Sequence, residues 1–314
     1  LYIIKSTVII AGTCTGFVSN RIIRDVEFDY VIVDEAAKAT FPELAVSLNK
    51  AHKIILVGDH QQLPPVLDTE IIRNNKEKLD EEGLAQGIFE RMYNMFPEDN
   101  KHRLTIQYRM HPTIGTLISH VFYNDEIQNG VEAQDRELCI EGYEGIAIEW
   151  ISTSKYSTKE RHEKEFDNNG KKSYQNYLER NIIERKLLEL DSKLVKRTKV
   201  AVITGYGSQK YILQTMVKQH SFKHIEVDVD TVDAFQGSQK DIILYSTVRS
   251  SGNKYGIGFL KSEARINVAF SRARCLLIIV GDMKFLDNYK IRGNKFPEII
   301  KYITESEGCR IIEK

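Results

Sequence analysis

Short runs of Val, Ile and Leu, each closed by Gly, Asp or Thr and followed by a stretch of helical periodicity, recur along the chain. The runs at 7–11, 30–33, 53–57, 104–107, 147–151, 200–204, 225–227, 241–247 and 276–280 read as strands, and several are apolar throughout, as strands covered on both faces are. The intervening spacing predicts helices over 41–48, 83–96, 111–122, 173–190, 208–220 and 262–272. This alternation predicts an α/β protein with parallel sheets. Between 152 and 173 the composition turns to Ser, Lys, Glu, Asn and Gly, which predicts a solvated loop. Pro97-Glu98-Asp99-Asn100 is a polar break between two strand–helix series, so a domain boundary is expected near residue 102.

The 314 residues are about two domains' worth of chain. Their 44 basic and 44 acidic residues balance, which excludes a polycationic tail protein, and 42% hydrophobic residues suffice for sizeable cores. The longest aliphatic runs fall well short of the roughly 20 residues of a membrane helix, so no membrane partner is expected. Cys14, Cys139, Cys275 and Cys309 are far apart and form no C-x-x-C pair, which fits a reducing compartment: the cytoplasm, or the nucleus in a eukaryote. The chain opens on Leu1 with no signal-peptide pattern, and an N-terminal truncation is expected.

Chemistry concentrates at strand ends. The run Tyr30-Val31-Ile32-Val33 stops at Asp34-Glu35, and the next strand runs into Gly58-Asp59-His60-Gln61-Gln62-Leu63-Pro64-Pro65. Open α/β sheets bind ligands beyond the carboxyl ends of their strands. One carboxylate there can hold Mg²⁺ through its water shell and a second can orient or deprotonate a water. Alternatively the two acids simply open a helix, where the dipole favours them. A second strand end with its own polar cluster favours the site.

The order Asp34-Glu35-Ala36-Ala37, Gly58 to Pro65, Gln107-Tyr108-Arg109-Met110-His111-Pro112, Val232-Asp233-Ala234-Phe235-Gln236-Gly237 and Asn267-Val268-Ala269-Phe270-Ser271-Arg272-Ala273-Arg274 resembles the superfamily 1 helicases of the up-frameshift and senataxin type. Quieter stretches, Asn129-Gly130-Val131 and Gly256-Ile257-Gly258-Phe259-Leu260, agree, and the resemblance covers essentially the whole chain. It implies two RecA-like domains, 1–102 being the later part of the first and 103–314 the second. It also implies an ATP- and Mg²⁺-dependent translocase on single-stranded RNA or DNA, with nucleotide in the cleft between domains, acting as a monomer or within a larger polypeptide.

Carried over residue by residue, the resemblance makes Asp34 the Mg²⁺ ligand, Glu35 the catalytic base and Gln62 the γ-phosphate sensor. Arg109 and Arg272 become arginine fingers, a role worth roughly 10³–10⁵ in turnover, and Tyr108 the ring stacked on adenine. Thr13, Thr231, Gln236 and Gly237 fall where the family touches the nucleic-acid backbone. Three departures stand out. No G-x-x-x-x-G-K-[ST] phosphate loop occurs, since Gly12-Thr13-Cys14-Thr15-Gly16 lacks a lysine and Asn169-Gly170-Lys171-Lys172 lies in a polar stretch downstream. Lys38 replaces a usual glutamine. Gln239, at the nucleotide end of the fifth motif, replaces a usual glutamate.

Weaker candidates are His220-x-x-x-His224, which has no companion ligands and reads as a surface pair, and Asn176 with Glu179, read as structural. A two-metal nuclease would need a further acidic cluster near Asp34 and Glu35, and none is seen. The competing functional readings are an ATPase-inactive remnant serving as a nucleic-acid or protein docking module, and the motor part of a larger nuclease or defence protein.

Overall fold

The computed structural model describes residues 6–23, 26–66, 87–168, 171–235, 237–251 and 256–313. It divides into two units, Leu1–Arg103 and Leu104–Lys314.

The first unit contains, in order, α1 (Cys14–Ser19), β1 (Phe28–Val33), α2 (Phe41–Leu48), β2 (Ala51–Leu56) and α3 (Ile88–Met95). β1 and β2 pair in parallel, with Val33 opposite Leu56. A capping box opens α2: the Glu43 carboxylate accepts from Thr40 N and Thr40 Oγ1, both at 2.8 Å. Those two bonds hold Glu43 below the usual carboxylate range. Leu44 on the buried face of α2 then packs with Val33, Ala36, Ala37 and Phe89 into a small core.

Two expectations fail here. Residues 7–11 form no strand, and Val8 is 97% exposed. Among the described residues this apolar run has no ladder partner to satisfy its backbone. Tyr30, Ile32 and Ile55 are exposed rather than covered because the small core lies on the opposite face of this two-stranded described sheet, and Ile54, on the core's own face, is exposed as well.

The second unit begins with β3 (Ile106–Gln107), α4 (Pro112–Phe122), β4 (Gln128–Asn129) and β5 (Ile148–Ser152). It continues through α5 (Thr158–Arg161), β6 (Lys164–Asn168), β7 (Lys171–Gln175), α6 (Tyr177–Lys193), β8 (Thr198–Thr204), α7 (Gly207–Val217) and β9 (Ile225–Thr231). It closes with β10 (Lys240–Ser246), α8 (Glu263–Phe270), β11 (Ala273–Gly281), α9 (Met283–Asn288), α10 (Phe296–Glu305) and β12 (Cys309–Glu313). Six strands form one parallel sheet in the order β12-β5-β11-β10-β8-β9. The α/β class with parallel sheets expected from the alternation is what the chain adopts.

Because both faces are covered, alternate residues of one strand enter different cores. Val200, Val202, Ile242, Leu244, Ile278 and Val280 meet Ile183, Leu187 and Leu190 of α6 and Leu213 and Met216 of α7. Burying each such side chain contributes roughly 1.5–3 kcal/mol. On the opposite face Phe270 packs edge-on against Tyr245 at 5.4 Å and Phe296 against Trp150 at 5.9 Å.

The expected loop over 152–173 instead holds α5 and the β6–β7 hairpin, and the expected helix over 173–190 begins only at Tyr177. The hairpin is polar because it is stabilised by cross-strand pairs such as Lys172 with Glu165, 2.5 Å apart, rather than by an apolar face. Asn176 ends it and caps α6, its side chain accepting from Glu179 N at 3.0 Å. The strand expected over 104–107 shrinks to two residues, and α9, α10 and β12 went unread.

Buried charge fastens two regions. Glu149, fully buried on β5, accepts from Tyr143 Oη at 2.9 Å and pairs with Lys186 at 3.2 Å and with the Arg310 guanidinium. Burial opposes the charge on Lys186, but Glu149 and Glu189 more than offset it and its proton is held more tightly than usual. The segment leaving β10 is clamped by further acids. Glu179 accepts from Ser246 Oγ at 2.6 Å, Thr247 Oγ1 at 3.1 Å and Val248 N at 2.9 Å. Val248 is left-handed, φ 69°, and its carbonyl accepts from Asn176 Nδ2 at 3.0 Å. Glu163 accepts from Ser250 N and Ser251 N, and pairs at 3.2 Å with buried Arg249, whose guanidinium lies 4.0 Å from the Tyr174 ring centre.

Candidate functional site

In the first unit the strand ends meet through the backbone. Val57 N donates to Val33 O and Ala36 N donates to Val57 O, both at 2.8 Å, so the end of β2 brackets the turn carrying Asp34 and Glu35. Gly58 permits this approach, since a Cβ there would lie 2.8 Å from Ala37 N. Glu35 is left-handed, φ 54°, a conformation that a non-glycine residue adopts only when its surroundings impose it. Both acids are exposed, and Asp34 Oδ1 accepts from Glu35 N at 2.9 Å. On the neighbouring strand end Gln62 Nε2 donates to Asp59 Oδ2 at 2.8 Å and Gln61 N to Asp59 Oδ1 at 3.0 Å. The structure therefore brings Asp34, Glu35, Asp59 and Gln62 to one edge of the β1–β2 sheet. Lys38 ends the short 3-10 turn after the acids and is exposed. Thr13 lies elsewhere in the unit, capping α1 by accepting from Gly16 N at 3.1 Å.

In the second unit the turn after β3 is built around the Gln107 carboxamide. Its Oε1 accepts from Arg109 N at 2.9 Å and Met110 N at 2.8 Å, while Nε2 donates to Met110 O at 3.0 Å and Asn129 Oδ1 at 2.7 Å. Arg136 closes the turn from the other side, Nε donating to Arg109 O at 2.8 Å and Nη2 to Tyr108 O at 2.7 Å. Packing is tight: a Cβ on Gly130 would come within 2.4 Å of Tyr108 Cε1, and one on Gly115 within 2.1 Å of Asn129 Oδ1. Tyr108 is left 62% exposed. His111 N donates to Arg274 O at 2.7 Å, fastening the turn to the start of β11. Burial lowers the His111 pKa, consistent with a neutral ring whose Nδ1 accepts from Thr113 N at 3.2 Å.

Arg109 and Arg272, far apart in sequence, meet at Ser271. Arg109 Nη1 donates to Ser271 O at 3.3 Å, and Arg272 Nη2 to Ser271 Oγ at 3.4 Å. Arg272 is only 2% exposed, with further long bonds to Val268 O at 3.2 Å and Ser238 O at 3.4 Å. Lys240 N donates to Arg272 O at 3.1 Å, which puts exposed Gln239 at the same edge, where β10 and β11 begin. Thr231 belongs elsewhere. It closes β9 opposite Thr204, at the carboxyl ends of the strands. Exposed Gly237, φ 81°, lies toward the far end of the crossover leading to β10, so Thr231 and Gly237 flank that crossover rather than sharing a cluster. Gln236 lies outside the described residues.

Sequence reading placed Gln107 and Ser271 inside motifs without giving either a role, and missed Arg136 and the Glu163–Arg249 pair. Gln107 precedes Tyr108 directly and offered a signal; Arg136 and Ser271 act through backbone carbonyls and a hydroxyl, which no spacing announces. His220 Nε2 is 2.7 Å from Glu184 Oε1, and His224 N donates to Asp191 Oδ1 at 2.7 Å.

A family model described as AAA domain matches residues 84–284, and a second of the same description matches residues 2–70. The chain is 34% identical over 306 residues to the "Regulator of nonsense transcripts 1 homolog" of Neurospora crassa, covering 92% of this chain and 26% of that protein. It is 35% identical over 319 residues to the "ATP-dependent helicase NAM7" of Saccharomyces cerevisiae, covering 98% of this chain and 30% of that protein. The chain thus spans less than a third of either relative. A solved structure of the PRRSV helicase is 17% identical and covers 80% of this chain and 34% of its own, with a TM-score of 0.38.

Proposed function

The chain belongs to the superfamily 1 helicases of the up-frameshift type, and on that premise we propose that it serves an ATP-driven motor moving on single-stranded RNA or DNA. The observation that carries the reading is the first unit's paired strand ends, where Asp34-Glu35 and Asp59 with Gln62 share one sheet edge. Mg²⁺ keeps several waters and shares phosphate oxygens, so a single exposed carboxylate such as Asp34 suits it. Among the described residues no group of three or more His, Cys, Asp or Glu side chains could cage a metal instead. When bound with nucleotide the ion would neutralise phosphate charge.

In this reading Glu35 takes the proton of an attacking water and Gln62 orients that water. Arg109 and Arg272 offer positive charge to the transferring phosphoryl group. Arg109 and Arg272 reach the same residue, Ser271, which places their two guanidinium groups side by side for that role. Exposed Tyr108 stacks on adenine, Gln239 lies at the γ-phosphate end, and Thr13, Thr231, Gln236 and Gly237 contact the nucleic-acid backbone. The lack of a phosphate loop in these residues favours a second reading, a docking module without ATPase activity.

Hydrolysis measurements with and without single-stranded RNA and DNA separate the two. The 314 residues alone should turn over ATP at no more than a trace rate, and a chain extended upstream by a phosphate-loop segment should turn over robustly. In the extended chain Glu35→Gln should lower turnover by about 100-fold or more while nucleotide still binds. An extended chain that stays inactive favours the docking module, and turnover preserved within a few-fold in Glu35→Gln rejects Glu35 as base.

A further inference from the structure

The hairpin that sequence reading missed leaves two aromatic rings in water. Phe166 is 40% exposed and Tyr177, the first residue of α6, is 46% exposed. From their placement we infer that Phe166 and Tyr177, with Lys164 beside them, form a stacking contact for a single-stranded polynucleotide. The inference rests on the nucleic-acid reading above and adds residues to it.

The pairing register sets Lys164 opposite Gln175 and Phe166 opposite Ser173. Side chains two residues apart on a strand share a face, so these four lie together. The β7 half of that face is seated on the first turn of α7, where Ser208 N donates to Ser173 Oγ at 3.2 Å and Gln175 Nε2 donates to Ser208 O at 3.1 Å, while Lys164 and Phe166 on β6 stay exposed. Tyr177 joins it, its hydroxyl donating to Gln175 Oε1 at 3.1 Å and its ring centre 5.3 Å from Lys164 Nζ. Phe166 and Lys164 are roughly 7 Å apart along the strand. Two rings thus flank one ammonium on a single surface.

The surface is continuous with a position already in the reading. α7 follows directly on β8, whose last residue Thr204 pairs with Thr231 of β9. Ser208, in the first turn of α7 just past Thr204, is the residue that holds Ser173 and Gln175 of the hairpin. A strand passing Thr231 therefore has the hairpin next along the same edge of the sheet. A protein partner would be expected to want a contiguous apolar patch. Here the two rings are separate and the exposed Lys164 ammonium lies beside them, 5.3 Å from the Tyr177 ring centre. Isolated rings beside an ammonium suit nucleobases and phosphates, and because every base has a π-face such a contact tolerates any sequence.

The test measures anisotropy of fluorescein-labelled oligo-U and oligo-dT 12-mers with the full chain. Phe166→Ala and Tyr177→Ala should each weaken binding about ten-fold for both oligonucleotides, with unchanged melting of the protein. Lys164→Gln should reduce the slope of log affinity against log salt by about 0.7. A third arm uses Phe166→Trp. The chain's single native tryptophan, Trp150, is fully buried, so quenching of the added one by oligonucleotide reports stacking at the hairpin. Wild-type affinity in both alanine variants, or an unquenched Phe166→Trp that still binds, overturns the hairpin contact alone. If the wild-type chain binds neither oligonucleotide, the nucleic-acid reading falls and the hairpin contact with it.

Discussion

Replacing Glu179 should separate two contributions of one buried side chain. Its carboxylate receives three donors, and among the described residues no cation lies within ion-pair range of it. Burial pushes its pKa up to about 8, against hydrogen bonds from Ser246, Val248 and Thr247 that pull it down. In Glu179→Ala the Ser246 and Thr247 hydroxyls can turn to other acceptors, but the buried Val248 N–H cannot. An orphaned amide costs about 1–3 kcal/mol and the truncated volume adds about 1–2. Glu179→Ala should therefore destabilise the second unit by about 2–5 kcal/mol. Glu179→Gln keeps an oxygen for Val248 N and should cost less than about 1.5 kcal/mol. The carboxyl also has a pH signature. With its folded pKa raised from 4.5 to about 8, the native state binds more protons than the unfolded chain between those values. The stability this confers is fully present below pH 4.5 and is lost as pH rises through 8, with a slope of at most about 1.4 kcal/mol per pH unit. Glutamine has no such slope. Urea unfolding followed by Trp150 fluorescence reads the second unit selectively, because that residue is the chain's one tryptophan. Alanine and glutamine variants equal within about 1 kcal/mol, or wild type and Glu179→Gln running parallel from pH 5 to 8.5, would refute the reasoning.

Two further outcomes follow from buried groups. Burial raises the thiol pKa values of Cys275 and Cys309 to about 11, whereas Cys139 is exposed. Iodoacetamide at pH 8 should label Cys139 well before the other two, and equal rates by peptide mapping would count against this packing. Lys186→Met leaves fully buried Glu149 with Arg310 and Tyr143 but one cation short, and should cost about 3 kcal/mol by urea unfolding. A loss below about 1 kcal/mol would mean Arg310 alone compensates the charge.

Legibility in the sequence tracked the kind of force involved. Strands β8, β10 and β11 were readable because a strand covered on both faces must be apolar at nearly every position. The same rule misfired at residues 7–11, where Val and Ile are present but no strand among the described residues pairs with them. The β6–β7 hairpin escaped because charged pairs across the strands, Lys172 with Glu165, look like a solvated loop when read in order. In the candidate site the strand-end acids were visible as an abrupt change from apolar to acidic. The meeting of Arg109 and Arg272 at Ser271 was invisible, since it joins positions 162 residues apart through a carbonyl that every residue possesses. Side chains that serve backbone groups, Gln107 and Glu179 among them, carry no periodic signature.

The crowding at Gly115 and Gly130 bears on how a variant library of this protein should be interpreted. Any side chain at Gly130 must push Tyr108 aside, and any at Gly115 must break the contact between Asn129 and Gln107. In a saturation screen scored on activity, both positions should be as intolerant as Arg109, although neither has a side chain to offer a ligand. Intolerance at the two would therefore mark a mould rather than a contact. Five residues shape the turn, Gln107, Gly115, Asn129, Gly130 and Arg136. Moving Tyr108 and Arg109 to another scaffold without those five would deliver the two candidate side chains with nothing to aim them.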